Sequence, residues 1–117
     1  MTLTSTVHDE VLTLGAGDRI AAAELPSGED AITAQLGAEG FAQTVLFDLS
    51  RTMYLDSAGI NWLLGFNRRF REAGGRLVLH SLTPMASQII RLMRLDRVFQ
   101  IADDAAAARH LITGGGS

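Results

Sequence analysis

The stretch Met53-Tyr54-Leu55-Asp56-Ser57-Ala58-Gly59-Ile60 stands where a short apolar segment, residues 45–49, gives way to a long helical pattern that begins at Ser57. It places an Asp-Ser pair at the start of a helix, where backbone N–H groups lack intrahelical partners and the helix dipole favours negative charge. A serine hydroxyl at such a position has three possible roles: helix cap, nucleophile or phosphate acceptor. Which role Ser57 has decides what the protein does.

Strands and helices alternate on the C-terminal side of this stretch. The predicted helix over residues 57–73 carries one buried stripe, which consists of Ile60, Leu63, Leu64, Asn67 and Phe70. Gly74-Gly75 supplies its stop. Strands are predicted at 76–80 and 98–101, with a helix opened by Thr83-Pro84 between them and a last helix capped by Asp103 or Asp104. This alternation predicts βαβ units and a mostly parallel sheet.

The N-terminal half of the chain has weaker patterns. Residues 3–7 and 11–14 predict a hairpin that adds an antiparallel edge to the sheet. Residues 20–25 are irregular or briefly helical, and 30–36 predict a short helix. We therefore expect one α/β domain over residues 1–113, with a mixed sheet of four or five strands, helices mainly on one face, and a flexible tail at 114–117.

The composition argues against several classes of protein. The chain of 117 residues contains no cysteine, which excludes disulfides, thiolate zinc sites and cysteine nucleophiles. Its formal net charge of −3 gives no basic surface for nucleic acid. No apolar run approaches the roughly 18 residues of a membrane span. The N-terminus also lacks the features of a signal peptide, so we expect a cytoplasmic protein.

No enzyme motif accompanies the serine. The histidines His8, His80 and His110 have neither the spacing of a metal site nor the context of a catalytic base. Ser57 is not part of a Gly-x-Ser-x-Gly elbow, and Gly15-x-Gly17 lacks the rest of a phosphate loop. We therefore expect no enzyme, no metal and no cofactor. A small serine hydrolase, with His80 near the serine loop, is kept as a minor alternative.

Four motifs follow one another between residues 44 and 101. They are Asp48-Leu49-Ser50, Leu55-Asp56-Ser57-Ala58-Gly59-Ile60, Ala73-Gly74-Gly75-Arg76-Leu77-Val78-Leu79 and, after Thr83-Pro84, Leu95-Asp96-Arg97-Val98-Phe99-Gln100-Ile101. Their order and spacing resemble the STAS domain, and within it the single-domain anti-sigma factor antagonists of bacteria. The chain departs from that pattern at Ala58, where many members have Ser or Thr, and at Gly17-Asp18-Arg19-Ile20, which only echoes the usual Gly-x-[Leu/Ile]-Asp.

The resemblance implies a switch based on protein phosphorylation. In that family the serine directly after the aspartate is phosphorylated by an anti-sigma factor that is also a serine kinase, and by position this serine is Ser57. The unphosphorylated antagonist binds the anti-sigma factor and frees the sigma factor, and a PP2C-type phosphatase resets it. The resemblance thus predicts a transcription regulator that binds no nucleic acid and no membrane, as a monomer or weak dimer. Since Ala58 has no hydroxyl, Ser57 is the one acceptor in the motif.

The predicted partner-binding residues lie at the helix start and are Asp56, Ser57, Ala58, Gly59, Ile60, Asn61 and Trp62. Either Asp56 or Ser57 is expected to cap the helix. Asp56 is also expected to bond the loop backbone or to face the kinase. Gly59 either allows a partner or the preceding loop to approach the first turn closely, or permits close packing of the helix on the sheet. The alternative in the binding class is a non-phosphorylated STAS scaffold subunit of a signalling or transport-linked assembly, in which Ser57 is a plain cap.

Two further sets of residues leave alternatives open. Trp62 and Phe66 lie off the buried stripe, so they either extend the core or form an exposed anchor for a partner. Arg91, Arg94 and Arg97 follow at i, i+3 and i+6, and form either a basic stripe for an acidic partner or a solvated helix face.

Overall fold

The computed structural model of the protein describes residues 3–8, 11–17, 19–20 and 36–113. The strands are β1 (Leu3–His8), β2 (Val11–Ala16), β3 (Arg19–Ile20), β4 (Thr44–Asp48), β5 (Tyr54–Leu55), β6 (Arg76–His80) and β7 (Gln100–Ala102). The helices are α1 (Ser57–Glu72), α2 (Pro84–Leu92) and α3 (Ala105–Thr113), with 3-10 helices at Gly37–Ala42 and Leu95–Arg97. The predicted tail at 114–117 and most of the predicted helix at 30–36 lie outside the described residues.

A five-stranded sheet with the strand order β1-β2-β4-β6-β7 forms the centre of the domain. β1 pairs antiparallel with β2, whereas β2, β4, β6 and β7 are parallel neighbours. The prediction of a mixed sheet with an antiparallel N-terminal edge is therefore confirmed. A second, two-stranded parallel ladder joins β3 to β5 directly before α1.

The helices cover both faces of the main sheet. Alternate residues of the strands point to opposite faces. Phe47 and Leu79 therefore lie in the core cluster beneath α1 and α2, while Leu46 and Val78 lie in a smaller cluster with Ala108 of α3. Two of the three described helices thus share one face, as predicted, and α3 packs on the other face against β4, β6 and β7. None of the described helices combines the length and apolar character that a membrane span requires.

The C-terminal end of α1 is fixed by the predicted glycine pair. Gly74 adopts a left-handed conformation with φ of 84°. Its N–H donates to the carbonyl of Arg71 at 3.2 Å, and the N–H of Gly75 donates to the carbonyl of Phe70 at 2.7 Å. This is the hydrogen-bond pattern of a Schellman motif. A Cβ at Gly75 would lie 2.1 Å from the carbonyl oxygen of Phe41, so the 3-10 helix approaches the turn closely.

The last strand begins two residues later than predicted. Val98 and Phe99 remain in a turn after the second 3-10 helix, because both of their N–H groups donate to the carbonyl of Leu95 at 2.9 Å. Phe99 is buried in the core from this turn. Its apolar character therefore led to the prediction of a strand residue, although it belongs to the turn. β7 therefore starts at Gln100.

Candidate functional site

Asp56 caps the helix that carries the serine motif. Its backbone is extended, with φ of −105° and ψ of 179°. The Gly59 N–H donates to Asp56 Oδ1 at 2.8 Å, and the Ile60 N–H donates to the Asp56 carbonyl at 2.9 Å. These are the bonds of an N-cap aspartate. The cap that the sequence left between two residues is Asp56, and Ser57 is the first residue of the helix.

Removing the cap should lower stability without disrupting the fold. Asp56→Ala is expected to reduce the free energy of unfolding by about 1 kcal/mol. Asp56→Asn keeps an acceptor oxygen, so it should reduce the free energy of unfolding by a few tenths of a kcal/mol at most. Urea denaturation measures both. Asp103→Ala is the matched control, because Asp103 is exposed and precedes the α3 cap Asp104, whose Oδ1 accepts from Ala107 N–H. Equal stability of Asp56→Ala and Asp56→Asn would contradict the capping role.

Ser57 presents an exposed hydroxyl at the helix start. Within the described part of the chain, no hydrogen bond engages this hydroxyl. Asp56 occupies the N–H of Gly59, so helix geometry leaves the N–H groups of Ser57 and Ala58 without intrahelical acceptors. An accessible hydroxyl therefore lies beside unpaired backbone donors and the positive end of the helix dipole. This arrangement accommodates an anionic group attached to the serine.

Gly59 is required by the approach of β3. A Cβ at this position would lie 2.0 Å from the carbonyl oxygen of Ile20, which also accepts a long hydrogen bond of 3.4 Å from the Asp56 N–H. Ile20 is held there by pairing with Leu55 in the β3–β5 ladder. Of the alternatives left open by the sequence, close packing of the helix against a strand is the one observed, and the strand is β3.

The predicted partner-binding residues divide by exposure. Ser57 and Asn61 are exposed and Asp56 and Ala58 are partly exposed, whereas Gly59 and Ile60 are buried and shape the helix start instead of a surface. The assignment of these seven residues to a partner-binding surface stays a prediction, in which Gly59 and Ile60 would contribute by shaping the first turn of the helix.

Trp62 is both part of the core and partly exposed. Its ring stacks on Phe66 with centroids 4.8 Å apart and meets the edge of Phe47 at 6.3 Å. Phe66 is fully within the core cluster, while Trp62 packs against that cluster from its margin. Packing on the core was the first of the two alternatives for this pair. The remaining exposed edge of Trp62 adjoins the start of α1.

Two apolar residues that the sequence analysis did not assign to the site stand out before the helix. The side chain of Met53 is 70% exposed and that of Tyr54 is 43% exposed. The guanidinium of Arg19 lies over the Tyr54 ring, 4.3 Å from its centroid. Both residues belong to the decisive stretch of sequence, but their exposure is seen only in the structure.

Two threonines hold the loop that carries Met53. Thr52 is fully buried, and its hydroxyl donates to the carbonyl of Gly17 at 3.4 Å. The Thr83 hydroxyl donates to the Thr52 carbonyl at 2.8 Å and accepts from the Ala86 N–H at 3.3 Å, which caps α2. The start of α2 is thus tied to the loop before α1. The sequence predicts only one side of this contact, the helix start at Thr83-Pro84.

His80 is not placed to act as a catalytic base for Ser57. It follows Val78 by two residues in β6, so its side chain lies on the α3 face of the sheet, opposite α1. Its Nδ1 is hydrogen-bonded to Ser81 Oγ at 2.8 Å, and its Nε2 is buried without a partner among the described residues. In the part of the chain that the structure describes, no three His, Cys, Asp or Glu residues are grouped to hold a metal ion.

Acidification should destabilise the protein through His80. Burial lowers the pKa of His80 below 6.5, Arg109 acts in the same direction, and Asp48 and Asp104 oppose it. Because the unfolded chain takes up the proton first, stability falls as the pH drops below about 6.5 and continues to fall until the pKa of the folded state is passed. Urea midpoints at pH 7.5 and 5.5 measure this loss. We expect His80→Asn to show a smaller loss, and an unchanged loss would contradict the assignment.

A sequence model of the STAS domain matches residues 2–108 of the chain. The protein belongs to the STAS family. The strand order, the helix opened by Asp56-Ser57 and the Gly74-Gly75 stop are therefore features of a STAS domain, and the resemblance seen in the four motifs is confirmed.

Solved STAS structures share the fold at low identity. An anti-sigma factor antagonist from Mycobacterium paratuberculosis is 24% identical, with a TM-score of 0.75 over 95% of this chain and 92% of that chain. A STAS domain protein from Planctomyces limnophilus is 20% identical, with a TM-score of 0.73 over 91% and 93%. The Bacillus cell fate determinant SpoIIAA in its phosphorylated form is 18% identical, with a TM-score of 0.62 over 94% and 99%. These likenesses show that this STAS domain has the same fold.

Proposed function

We propose that this STAS domain is an anti-sigma factor antagonist, which binds an anti-sigma factor with serine kinase activity and is released when that kinase phosphorylates Ser57. The observation that carries the proposal is the exposed Ser57 hydroxyl at the first position of α1, next to a cap that Asp56 already provides. A serine that neither caps its helix nor bonds a described neighbour is accessible for modification. That the similar SpoIIAA has been solved in a phosphorylated form supports the proposal.

The charge of a phosphate at Ser57 would act on the interface and leave the fold intact. The modification adds about −1.5 to −2 charges. The unpaired N–H groups and the dipole at the start of α1 favour such a charge, so the domain should remain folded. A partner surface packed against the same helix start would have to desolvate the phosphate, or would meet it with like charge. Release of the partner therefore follows from local electrostatics without a conformational change.

The proposed interface surrounds Ser57 with apolar and amphipathic side chains. Met53 and Tyr54 lie on the N-terminal side of the serine, and Asn61 and the exposed edge of Trp62 lie one turn along α1. Aromatic residues and methionine are enriched in protein interfaces. This surface suits a partner protein.

The proposal assigns the remaining components of the switch. A PP2C-type phosphatase would remove the phosphate, and the sigma factor released from the anti-sigma factor would act on transcription. Because the kinase consumes ATP, the protein would work in the cytoplasm. We propose that the domain itself is not an enzyme, which is supported by the position of His80 on the opposite face of the sheet from α1. The protein alone would act as a monomer or weak dimer.

Intact-mass measurement tests the proposal. The purified protein is incubated with ATP and each anti-sigma-factor-like kinase encoded in the same genome. We expect one added phosphate with the wild type and none with Ser57→Ala, while Ser50→Ala, which removes another exposed serine close by, is phosphorylated normally. A phosphate that persists in Ser57→Ala would contradict the assignment. Partner binding without any phosphorylation would instead favour the scaffold function.

A further inference from the structure

A groove runs along the C-terminal end of α1, away from Ser57. It consists of two adjoining cavities of ≈ 420 Å³ and ≈ 290 Å³, which share Asn67, Arg71 and Val98 in their linings. From Ser57 to Arg71 the helix rises by roughly 20 Å, at 1.5 Å per residue. The groove is therefore a surface separate from the proposed partner-binding site.

Asn67 is a buried polar residue that opens onto this groove. Only 4% of its surface is exposed, and it lies on the buried stripe of α1 between Leu63 and Phe70. Its side-chain amide makes no hydrogen bond to any described residue, yet it lines both cavities. The amide atoms of Asn67 are not themselves buried, because they reach the surface of the groove. They can therefore donate to, or accept from, a group that enters the groove from outside the chain.

Guanidinium groups surround Asn67. Arg68 and Arg71 on α1 and Arg97 in the second 3-10 helix line the groove and are exposed, and none of the three is paired with another described residue. Glu72 is the one acidic residue in the two linings. The groove is therefore locally cationic in a protein whose formal net charge is −3.

The remaining residues of the groove limit what can bind there. The guanidinium of Arg76 donates to Gln100 Oε1 and to the carbonyl of Leu111, so part of its donor capacity is already used, while its positive charge still adds to that of the groove. Leu64 and the 41% exposed Val98 give the first cavity an apolar wall. Planar guanidinium groups bind phosphate oxygens in a bidentate manner. A ligand with a phosphate group and a small apolar portion matches this lining and volume.

We propose that the groove binds a small phosphorylated molecule, whose phosphate is held by Arg71 and Arg97 with the Asn67 amide donating to one of its oxygens. Leu64 and Val98 contact the rest of the ligand. The site is independent of the switch at Ser57 and goes beyond the proposed function. Arg91, Arg94 and Arg97 do not form a stripe along one helix, because α2 ends at Leu92. Arg97 instead lines the groove together with residues of α1.

The test is a titration of the ¹⁵N-labelled full chain with adenosine 5′-monophosphate and with inorganic pyrophosphate at low salt, followed by NMR. We expect saturable shifts of the Asn67 side-chain NH₂ signals and of amides in 67–72 and 97–99, with a dissociation constant on the order of 1 mM or below. Adenosine without a phosphate should give no comparable shifts. Absence of shifts with both phosphate probes, or shifts confined to the Ser57 end, would overturn the proposal.

Matched variants identify the residues. Arg97→Gln is expected to weaken binding of adenosine 5′-monophosphate at least about tenfold, because a charge-assisted bidentate contact is lost. Arg91→Gln removes an exposed arginine outside the groove and should leave affinity unchanged. Asn67→Asp replaces the amide donor with a carboxylate and should also reduce binding. Far-ultraviolet circular dichroism checks that this variant is folded. Equal affinity of Arg97→Gln and Arg91→Gln would contradict the site.

Discussion

Replacing Gly59 with alanine is expected to destabilise the domain by roughly 2–4 kcal/mol, the largest stability effect of any substitution considered. The added Cβ would lie 2.0 Å from the carbonyl oxygen of Ile20 and 2.8 Å from its carbonyl carbon. Both are backbone atoms, so no side-chain rotation relieves the overlap. The β3–β5 ladder or the first turn of α1 must shift instead. Urea or thermal denaturation measures the loss.

Gly65→Ala provides the matched control within the same helix. A Cβ at Gly65 meets no heavy atom within 4 Å, so alanine should be tolerated there. Since alanine is the better helix former, Gly65→Ala is expected to raise stability by up to about 1 kcal/mol. Similar effects of the two substitutions would contradict the role of Ile20 in shaping the helix start. Loss of partner binding in a folded Gly59→Ala protein would show that this geometry also supports the interface.

Replacing Ser57 with aspartate is expected to weaken binding of the partner kinase by roughly ten- to a hundredfold. The new carboxylate would stand beside the capping carboxylate of Asp56, at the centre of the proposed interface, and the complex would have to desolvate it. Ser57→Ala, which removes the hydroxyl without adding charge, should retain most of the affinity. Isothermal titration calorimetry of each variant with the kinase measures the difference in dissociation constant.

Ser50→Asp controls for a general effect of negative charge. Ser50 is exposed in the turn after β4, where its N–H donates to Asp48 Oδ1 at 2.8 Å. The same change of charge at this position should alter affinity by less than about threefold, because the carboxylate stays solvated. If Ser50→Asp and Ser57→Asp weaken binding equally, long-range charge repulsion explains the loss of affinity. That result would contradict a switch located at the start of α1.

The sequence predicts the central part of the fold because its signals are local. The apolar segment before the motif, the buried stripe of α1 and the glycine pair after it each depend on residues within a few positions of one another. β6 has the predicted bounds of residues 76–80, and α1 differs from its predicted range by one residue. The hairpin of β1 and β2 is also local, and its alternation was sufficient to predict an antiparallel edge.

The contacts that shape the site are distant in the chain, and the sequence could not show them. β3 and β5 have two residues each, which is too short for any periodicity. The pairing of Ile20 with Leu55 explains why position 59 must be glycine, but no local pattern joins these residues. Tyr54 belongs to the same ladder, and its exposure and that of Met53 are likewise seen only in the structure. The late start of β7 has a different cause, because it follows from local hydrogen bonds of Val98 and Phe99 to Leu95 that the apolar pattern does not reveal.

Side-chain partners within the site were predicted only in part. The sequence indicated that either Asp56 or Ser57 caps α1, and the choice depends on backbone angles that residue types do not determine. Asn67 was placed correctly on the buried stripe, but the groove that it lines together with Arg97 is formed by residues distant in the chain and is seen only in the structure.

The most direct test of the central claim compares the affinities of the unmodified and singly phosphorylated protein for the same anti-sigma factor kinase. The phosphorylated form is isolated after incubation with the kinase and ATP, and its circular dichroism is checked against that of the unmodified protein. We predict unchanged spectra and a dissociation constant raised by roughly tenfold or more, as expected for a buried phosphate at the interface. Equal dissociation constants for the two forms would contradict the proposal that Ser57 is a phosphorylation switch.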